Sequence, residues 1–233
     1  MQTIPNSNEP FLSYAPSGSL DKSRYLFFGT AGGNPANGSA RWHDESGSAN
    51  DLLGLNVDDV FTPLTDANGK AVLQANDLNG GLYSFPFATL PAGDYTIYAV
   101  LRPLTLQAPY LLDASGHSLG LGFNTGDLGA YYFGGVKHGN GALSIAANEL
   151  AIATWRLSSV DGGRVYKNGA LVYAGPYSPA AFNAVAALGH DYSTYYAPFI
   201  GDLHALVFRQ GNDSDAQVAQ VQSYLATLAG LTL

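Results

Sequence analysis

Apolar and polar residues alternate in short runs along most of the chain, and turn-forming residues separate these runs. The runs are rich in β-branched and aromatic residues, which is typical of strands in a sandwich or barrel. The pattern predicts ten strands, at residues 24–28, 71–74, 94–102, 110–113, 118–123, 130–133, 149–158, 164–166, 170–173 and 202–209. Both alternating faces of 94–102 are largely apolar, so we expect this strand in the middle of a covered sheet.

Two Asn-Gly pairs predict tight turns. Asn168 and Gly169 lie between two of these runs, and Asn68 and Gly69 precede the run at 71–74. Asn-Gly accepts the positive φ angles that both central residues of a type I′ turn adopt. The sequence therefore predicts a β-hairpin at each pair.

One segment near the end of the chain has the spacing of a helix instead. Apolar residues recur every three or four positions, at Val218, Val221, Leu225 and Leu228. Ser214 and Gln217 have the spacing of a capping box, which predicts where this helix begins. Gly230 predicts its end, because glycine accepts the left-handed conformation that often follows a helix.

The composition is that of a folded protein without sulfur crosslinks. Of 233 residues, 46% are hydrophobic and 12% are charged, which excludes disorder. The chain has no cysteine, so disulfides and thiolate-bound zinc or iron–sulfur sites are excluded. The length suits one all-β domain, which we expect over residues 20–233. Residues 1–19 contain three prolines and predict an extended N-terminal arm.

Charge and hydropathy argue against nucleic-acid binding and against membrane insertion. The formal charge is −8, and the ten lysines and arginines are scattered along the chain. The longest stretch without charge, at 168–190, is interrupted by glycine and proline. The N-terminus has neither the cationic start nor the apolar stretch of a secretory signal. An extracellular or virion-surface location would therefore require another export route or a signal already removed.

Four segments occur in an order that is typical of one fold family. They are Arg41 to Leu52, with Trp42, Asp44, Ser46-Gly47 and Asn50-Asp51; the run at 94–103, ending in Arg102-Pro103; Trp155 through Asp161-Gly162 to Asn168-Gly169; and Gly201-Asp202-Leu203 with the helix at 214–225. Together they resemble the concanavalin A-like jelly roll, and within it the laminin-G-like domains of bacterial and phage proteins. The resemblance implies an all-β fold, a two-sheet antiparallel jelly-roll sandwich with one short C-terminal helix.

The resemblance raises the question of catalysis, because laminarinase-like glycoside hydrolases share this fold. Those enzymes place nucleophile and acid on one strand as Glu-x-Asp-x-Glu, about 5 Å apart in a retaining mechanism. This chain has glutamate only at Glu9, Glu45 and Glu149, and no predicted strand carries two acids two residues apart. Ala205 stands where the family commonly has glutamate, and Asn212-Asp213 where it has an apolar leucine. We expect no enzymatic activity.

Metal binding is a narrower question. The histidines show no metal-ligand spacing, at His43, His117, His138, His190 and His204. His204 alternates with apolar neighbours, so we expect it to pack against a face of the sandwich. Calcium is the candidate cofactor, because jelly rolls of this family often hold it in aspartate-rich loops. The candidate ligands are Asp44, Asp51 and Asp191; the alternative for Asp44 and Asp51 is hydrogen bonding to turn amides.

An aromatic stretch just before the last predicted strand is the main candidate for ligand binding. Its candidate residues are His190, Asp191, Tyr192, Tyr195 and Tyr196. Aromatic rings beside polar groups suit the apolar faces and hydroxyl edges of sugars. The alternative is a loop that folds back on the sandwich or packs against a neighbouring subunit. We expect Trp42, Trp155 and the Tyr131-Tyr132-Phe133 run in the core.

Two functional hypotheses follow. The first is a non-catalytic carbohydrate-binding or adhesion module whose partner is a glycan or polysaccharide. The second is a virion structural protein, a capsid decoration or fibre subunit. In that role residues 1–19 would contact capsid or tail proteins, or further copies of the chain.

Overall fold

The structure of the protein, a computed structural model, describes residues 23–28, 41–42, 52–54, 62–66, 71–75, 83–84, 89–90, 93–105, 110–114, 119–123, 130–133, 136–179, 182–183, 186–189 and 199–233. These residues form eighteen strands and one helix. The predicted arm at 1–19 and the predicted turn at Asn68 and Gly69 lie outside them. No helix among the described residues is long and apolar enough to cross a membrane.

The first of two large sheets has eight antiparallel strands. They are β1 (Ser23–Phe28), β4 (Thr62–Thr65), β5 (Ala71–Ala75), β8 (Tyr95–Pro103), β13 (Ala151–Ser158), β14 (Gly162–Lys167), β15 (Ala170–Gly175) and β18 (Gly201–Gln210). Seven of them follow the order β15-β14-β13-β8-β18-β5-β4, and β1 pairs with another part of β18. The strand predicted for the middle of a covered sheet, β8, lies between β13 and β18.

The second large sheet also has eight antiparallel strands. They are β2 (Arg41–Trp42), β3 (Leu52–Gly54), β6 (Tyr83–Ser84), β9 (Tyr110–Ala114), β10 (Leu119–Gly122), β11 (Tyr131–Phe133), β12 (Val136–His138) and β17 (Ala186–Leu188), in the order β12-β11-β10-β9-β17-β6-β3-β2. A short separate pair joins β7 (Thr89–Leu90) to β16 (Phe182–Asn183). The predicted all-β jelly-roll sandwich is therefore confirmed.

The main core lies between the two sheets. Its buried side chains come from both sheets and include Leu73, Ile97, Leu101, Trp155, Leu203 and Phe208 of the first and Leu112, Leu121 and Tyr131 of the second. Burial of so much apolar surface is the dominant favourable term in folding. The predicted core positions of Trp155 and Tyr131 are confirmed, whereas the side chains of Trp42, Tyr132 and Phe133 lie outside the description.

The helix, α1 (Asp215–Ala229), covers the outer face of the first sheet. Its apolar face packs on outward-facing residues of β8, β13 and β18; the buried cluster comprises Tyr98, Val100, Ile152, Ala205, Val207, Val218, Val221, Leu225, Ala226 and Ala229. The central strands are thus covered on both faces, which explains why they lack polar alternation.

The local predictions near these elements are confirmed. Asn168 and Gly169 have φ angles of 47° and 86° and connect β14 to β15. Ser214 and Gln217 form the capping box of α1, and Gly230 follows it in the left-handed conformation. These features depend on residues a few positions apart, so the sequence alone could specify them.

Eight strands were not predicted from the sequence. They are β2, β3, β4, β6, β7, β12, β16 and β17, each two to four residues long. A run of this length is too short to show alternation, and its strand conformation is imposed by pairing with its neighbours.

Gly163 provides a test of the packing between the sheets. A Cβ at this position would lie 2.3 Å from the Tyr131 hydroxyl and 2.4 Å from Cζ of the same ring. The buried Tyr131 ring cannot retreat easily, because its hydroxyl donates to the Pro176 carbonyl at 2.7 Å and its ring stacks on His138. We expect Gly163→Ala to lower the free energy of unfolding by about 1–3 kcal/mol, measured by urea denaturation.

Gly93 offers the matched control for that substitution. A Cβ there would meet only the Gln210 side-chain nitrogen, at 3.9 Å. We expect Gly93→Ala to change stability by no more than about 0.5 kcal/mol. Equal effects of the two substitutions would contradict the packing described for Tyr131.

Candidate functional site

The residues predicted to bind a ligand or metal lie outside the described residues. This holds for His190, Asp191, Tyr192, Tyr195 and Tyr196 and for Asp44 and Asp51. Their roles therefore stay predictions. The structure does describe the residues on both sides of the 190–198 segment, and these define where that segment joins the domain.

Backbone hydrogen bonds join the two residues that flank the 190–198 segment. The Phe199 amide donates to the Gly189 carbonyl at 2.8 Å, and the Gly189 amide donates to the Leu111 carbonyl at 2.7 Å. Gly189 directly follows β17, and Phe199 lies two residues before β18. The two residues that flank the segment therefore lie side by side, and we call this pair the loop neck (Gly189 and Phe199).

The loop neck is built on a rigid part of the sandwich. The Phe199 side chain is buried and packs edge-to-face against Phe123, with ring centroids 6.0 Å apart. Next to it, the Ile200 carbonyl accepts a hydrogen bond from the Leu104 amide at 2.9 Å. The neck thus connects β17 of the second sheet to β18 in the middle of the first. Loops positioned by a rigid scaffold often carry binding residues.

A row of three polar side chains crosses the first sheet near the loop neck. Asp202 of β18 pairs in register with Gln74 of β5 on one side and with Arg102 of β8 on the other. Its carboxylate accepts a hydrogen bond from Gln74 Nε2 at 2.7 Å and from Arg102 Nε at 2.8 Å, and Arg102 Nη2 also donates to it. We call these residues the polar row (Gln74, Asp202 and Arg102).

Burial differs sharply within the polar row. The Asp202 side chain is fully buried, whereas 26% of the Arg102 side chain is exposed. A buried carboxylate is tolerated because it is paired and hydrogen-bonded. Asp202 therefore fixes the orientation of Arg102 and Gln74 at the surface.

Sequence reasoning did not identify the polar row, although part of it was visible. Arg102 and Asp202 each alternate with a core leucine, Leu101 and Leu203. Alternation alone places both on the face opposite the core. Their contact depends on the pairing of β8 with β18, which joins residues 100 positions apart.

Six described carboxylates accept hydrogen bonds from other parts of the protein, and these contacts are structural. Each accepts hydrogen bonds from a cation, a turn amide or a neighbouring side chain; they are Asp94, Glu149, Asp161, Asp202, Asp213 and Asp215. Glu149 is the only glutamate among the described residues. Partial burial opposes its ionisation, but hydrogen bonds from Lys167 and the Ala146 amide hold its pKa below the ordinary value.

Asp161 and Asp215 come together around one cation. Arg156 donates through Nη2 to Asp161 at 2.5 Å and through Nη1 to Asp215. Hydrogen bonds from Asn212 and Arg156 hold the pKa of the Asp161 carboxyl below its ordinary value. A glycosidase acid needs a raised pKa and a substrate between its two carboxyls. Here the guanidinium lies between the two carboxylates, so this pair has the chemistry of an ion-pair network.

Metal-binding residues do not cluster in the part of the chain that the structure describes, where no three His, Cys, Asp or Glu side chains come close enough to hold an ion. His204 is buried and is the additional residue of a β-bulge between Leu203 and Ala205. It lies in the packed interior, as its alternation with apolar neighbours predicted.

Comparison with solved structures shows the fold. Domain 4 of AbnA, a GH43 extracellular arabinanase from Geobacillus stearothermophilus, in complex with arabinotriose, superposes with a TM-score of 0.63 at 16% identity, covering 86% of this chain and 98% of that one. The binding domain of Paraclostridial Mosquitocidal Protein 1 superposes with a TM-score of 0.58 at 12% identity, and the match covers 88% of this chain and 53% of that one.

Trypanosoma rangeli sialidase in complex with sialic acid gives a TM-score of 0.57 at 15% identity, covering 89% of this chain. The chain spans about a third of that sialidase, since it covers 34% of its length. No protein-family model matches the sequence, and no curated protein is significantly similar to it. At these identities the likeness establishes a β-sandwich fold that glycosidase-associated domains share.

Proposed function

We propose that this protein is a non-catalytic carbohydrate-binding or adhesion module of the laminin-G-like kind. The observation that carries the proposal is the loop neck, which joins the aromatic 190–198 segment to the middle of both sheets through hydrogen bonds of 2.7 and 2.8 Å. The domain of similar fold in complex with arabinotriose supports a glycan as the ligand. The structural contacts of the described carboxylates support binding without hydrolysis.

The chemistry of the segment fits this role. Tyr192, Tyr195 and Tyr196 would supply aromatic rings for the apolar faces of sugar rings. His190 and Asp191 would supply hydrogen bonds to hydroxyl groups. Calcium held by Asp191, or by Asp44 and Asp51, would stabilise the loops that contact the glycan.

Changing two tyrosines tests the proposal. We expect the double substitution Tyr192→Ala and Tyr195→Ala to weaken binding to the best ligand of a polysaccharide panel by at least about tenfold. Affinity is measured by isothermal titration calorimetry, with calcium and with a chelator. Equal affinities under the two conditions would contradict the calcium role. Incubation of the parent protein with the same ligand should release no reducing ends.

Val160→Ala provides the control variant. Val160 is 86% exposed and lies in the turn after β13. In the same turn, the Ser159 amide donates a hydrogen bond to the side chain of Asp94, which directly precedes β8. The loop neck lies near the other end of β8. Unchanged affinity is expected for this control. The proposal fails if no polysaccharide binds the parent, or if the tyrosine and valine variants bind alike.

The virion structural role stays a prediction, because residues 1–19 lie outside the described residues. This role differs from glycan binding in requiring assembly of several chains through residues 1–19. If the full chain forms oligomers in native mass spectrometry and deletion of 1–19 releases monomers, this role gains support; indifference to the deletion counts against it.

A further inference from the structure

We propose that Arg102 and Gln74 form a ligand subsite beside the loop neck that takes the hydroxyl groups of a neutral sugar. This inference rests on the proposed function and adds both contact residues and a ligand class. Its basis is the polar row, in which one buried carboxylate holds two partly exposed hydrogen-bonding groups.

Hydrogen-bonding capacity remains in both side chains. A guanidinium has five N–H donors, and two of the Arg102 nitrogens donate to Asp202. Gln74 uses its Nε2 for Asp202, so its carbonyl oxygen is available as an acceptor. Among the described residues, the side-chain hydrogen bonds of Arg102 and Gln74 are those with Asp202. One hydroxyl of a sugar could therefore accept from Arg102, and another hydroxyl of the same ligand could donate to Gln74.

The subsite is fixed before a ligand arrives. Asp202 is fully buried between two neighbouring strands, and its register partners are Gln74 and Arg102 themselves. Preorganised donors lose less side-chain entropy on binding than free surface side chains do. Gln74 and Arg102 therefore suit recognition better than an isolated surface arginine would.

The polar row and the loop neck lie at the same end of β8 and β18. Leu104, two residues after Arg102, donates to the carbonyl of Ile200, two residues before Asp202. The polar row therefore lies close to the loop neck, where residues 190–198 join the domain.

Charge determines the ligand class. Asp202 neutralises Arg102 at close range, so the subsite has no net positive charge to attract an anion. The chain as a whole carries a formal charge of −8, which repels anionic ligands over the Debye length. Neutral hydroxyl groups need only the paired donor and acceptor that the row supplies. We therefore assign neutral sugars rather than uronic or sialic acids.

The test compares a neutral panel that includes arabinotriose with sialic acid, using calorimetry on the full chain. Because Arg102→Ala alone would leave Asp202 buried without its cation, the main variant is Arg102→Met with Asp202→Leu, which removes both charges together. Gln74→Ala is the second variant. Thermal melts verify that each variant is folded.

We expect about tenfold weaker binding of the neutral ligand by the double variant and about threefold weaker binding by Gln74→Ala. Unchanged neutral-sugar affinity in both folded variants overturns the subsite while leaving the proposed function intact. Binding of sialic acid that is lost in the double variant overturns the neutral class. If the parent binds no saccharide, the proposed function fails, and this inference fails with it.

Discussion

Asp213→Ala is expected to lower the free energy of unfolding by about 3–5 kcal/mol, because it removes one partner of a buried ion pair. Asp213 accepts a hydrogen bond from the Tyr98 hydroxyl at 2.7 Å and forms an ion pair with Arg209, whose Nη1 lies 2.9 Å from the carboxylate. Arg209 and Asp213 are both almost completely buried. The substitution leaves the buried Arg209 guanidinium without this carboxylate, and an uncompensated buried charge is strongly unfavourable.

The surrounding contacts place Asp213 where the first sheet meets the segment before α1. The Asp213 amide donates to Thr96 Oγ1 at 3.1 Å, and Thr96 Oγ1 donates to the Gly211 carbonyl at 2.9 Å. These bonds connect β8 to the segment that leads into α1. Burial and the neighbouring carboxylate also raise the pKa of Tyr98 well above its ordinary value, so its hydroxyl remains a donor to Asp213. Loss of the carboxylate therefore affects the sheet and the beginning of the helix together.

Urea denaturation followed by circular dichroism measures the effect, and a melting temperature lower by about 10 °C is expected alongside it. Asp215→Ala is the matched control: it lies two residues away, pairs with Arg156 and is 77% exposed. Only the carboxylate of this pair is exposed, but Arg156 keeps Asn212 and Asp161 as partners in the variant, so we expect a loss of at most about 1 kcal/mol. A loss at Asp213 as small as the loss at Asp215 would show that the buried network does not stabilise the fold.

Trp155→Ala is expected to cost about 3–5 kcal/mol by leaving a cavity between the sheets. Trp155 is fully buried in β13 and is one of the largest buried side chains of the described residues. Its indole nitrogen donates to the Ala130 carbonyl at 2.7 Å, and Ala130 directly precedes β11 of the second sheet. The side chain thus fills the core and connects the two sheets.

Trp155→Phe separates these two contributions. It keeps an aromatic ring in the core but leaves the Ala130 carbonyl without the indole donor, so we expect a smaller loss of about 1–2 kcal/mol. Circular dichroism is the suitable readout, because the chain has only two tryptophans and the substitution removes one. Equal losses for the two variants would contradict the expected cavity term.

The role of Asn212 and Asp213, which depart from the pattern of the family that the sequence resembles, is visible only in the tertiary structure. The family that the sequence resembles has an apolar leucine before the helix, so two polar residues at this position depart from its pattern. In the structure Asn212 contacts Arg156 and Asp161, and Asp213 contacts Tyr98 and Arg209. Tyr98 lies 115 positions earlier in the chain, and no local pattern could indicate that pairing.

In the candidate site, too, some features were visible in the sequence and others only in the tertiary structure. The aromatic character of 190–196 was visible in the sequence, because it depends on residue types alone. The loop neck was not visible, since its hydrogen bonds join backbone groups that only the tertiary packing brings together. Arg102 and Asp202 could be placed opposite the core by alternation, but their contact requires two particular strands to be neighbours.

By itself, the sequence determined the long strands, the Asn168-Gly169 hairpin and the caps of α1, because each depends on residue types within a few positions. Only the tertiary structure decided the strand order, the short strands, the buried contacts of Asp202 and Asp213 and the closure of the loop neck. Those features arise when distant segments pack, and the free energy that selects one arrangement belongs to the whole sandwich.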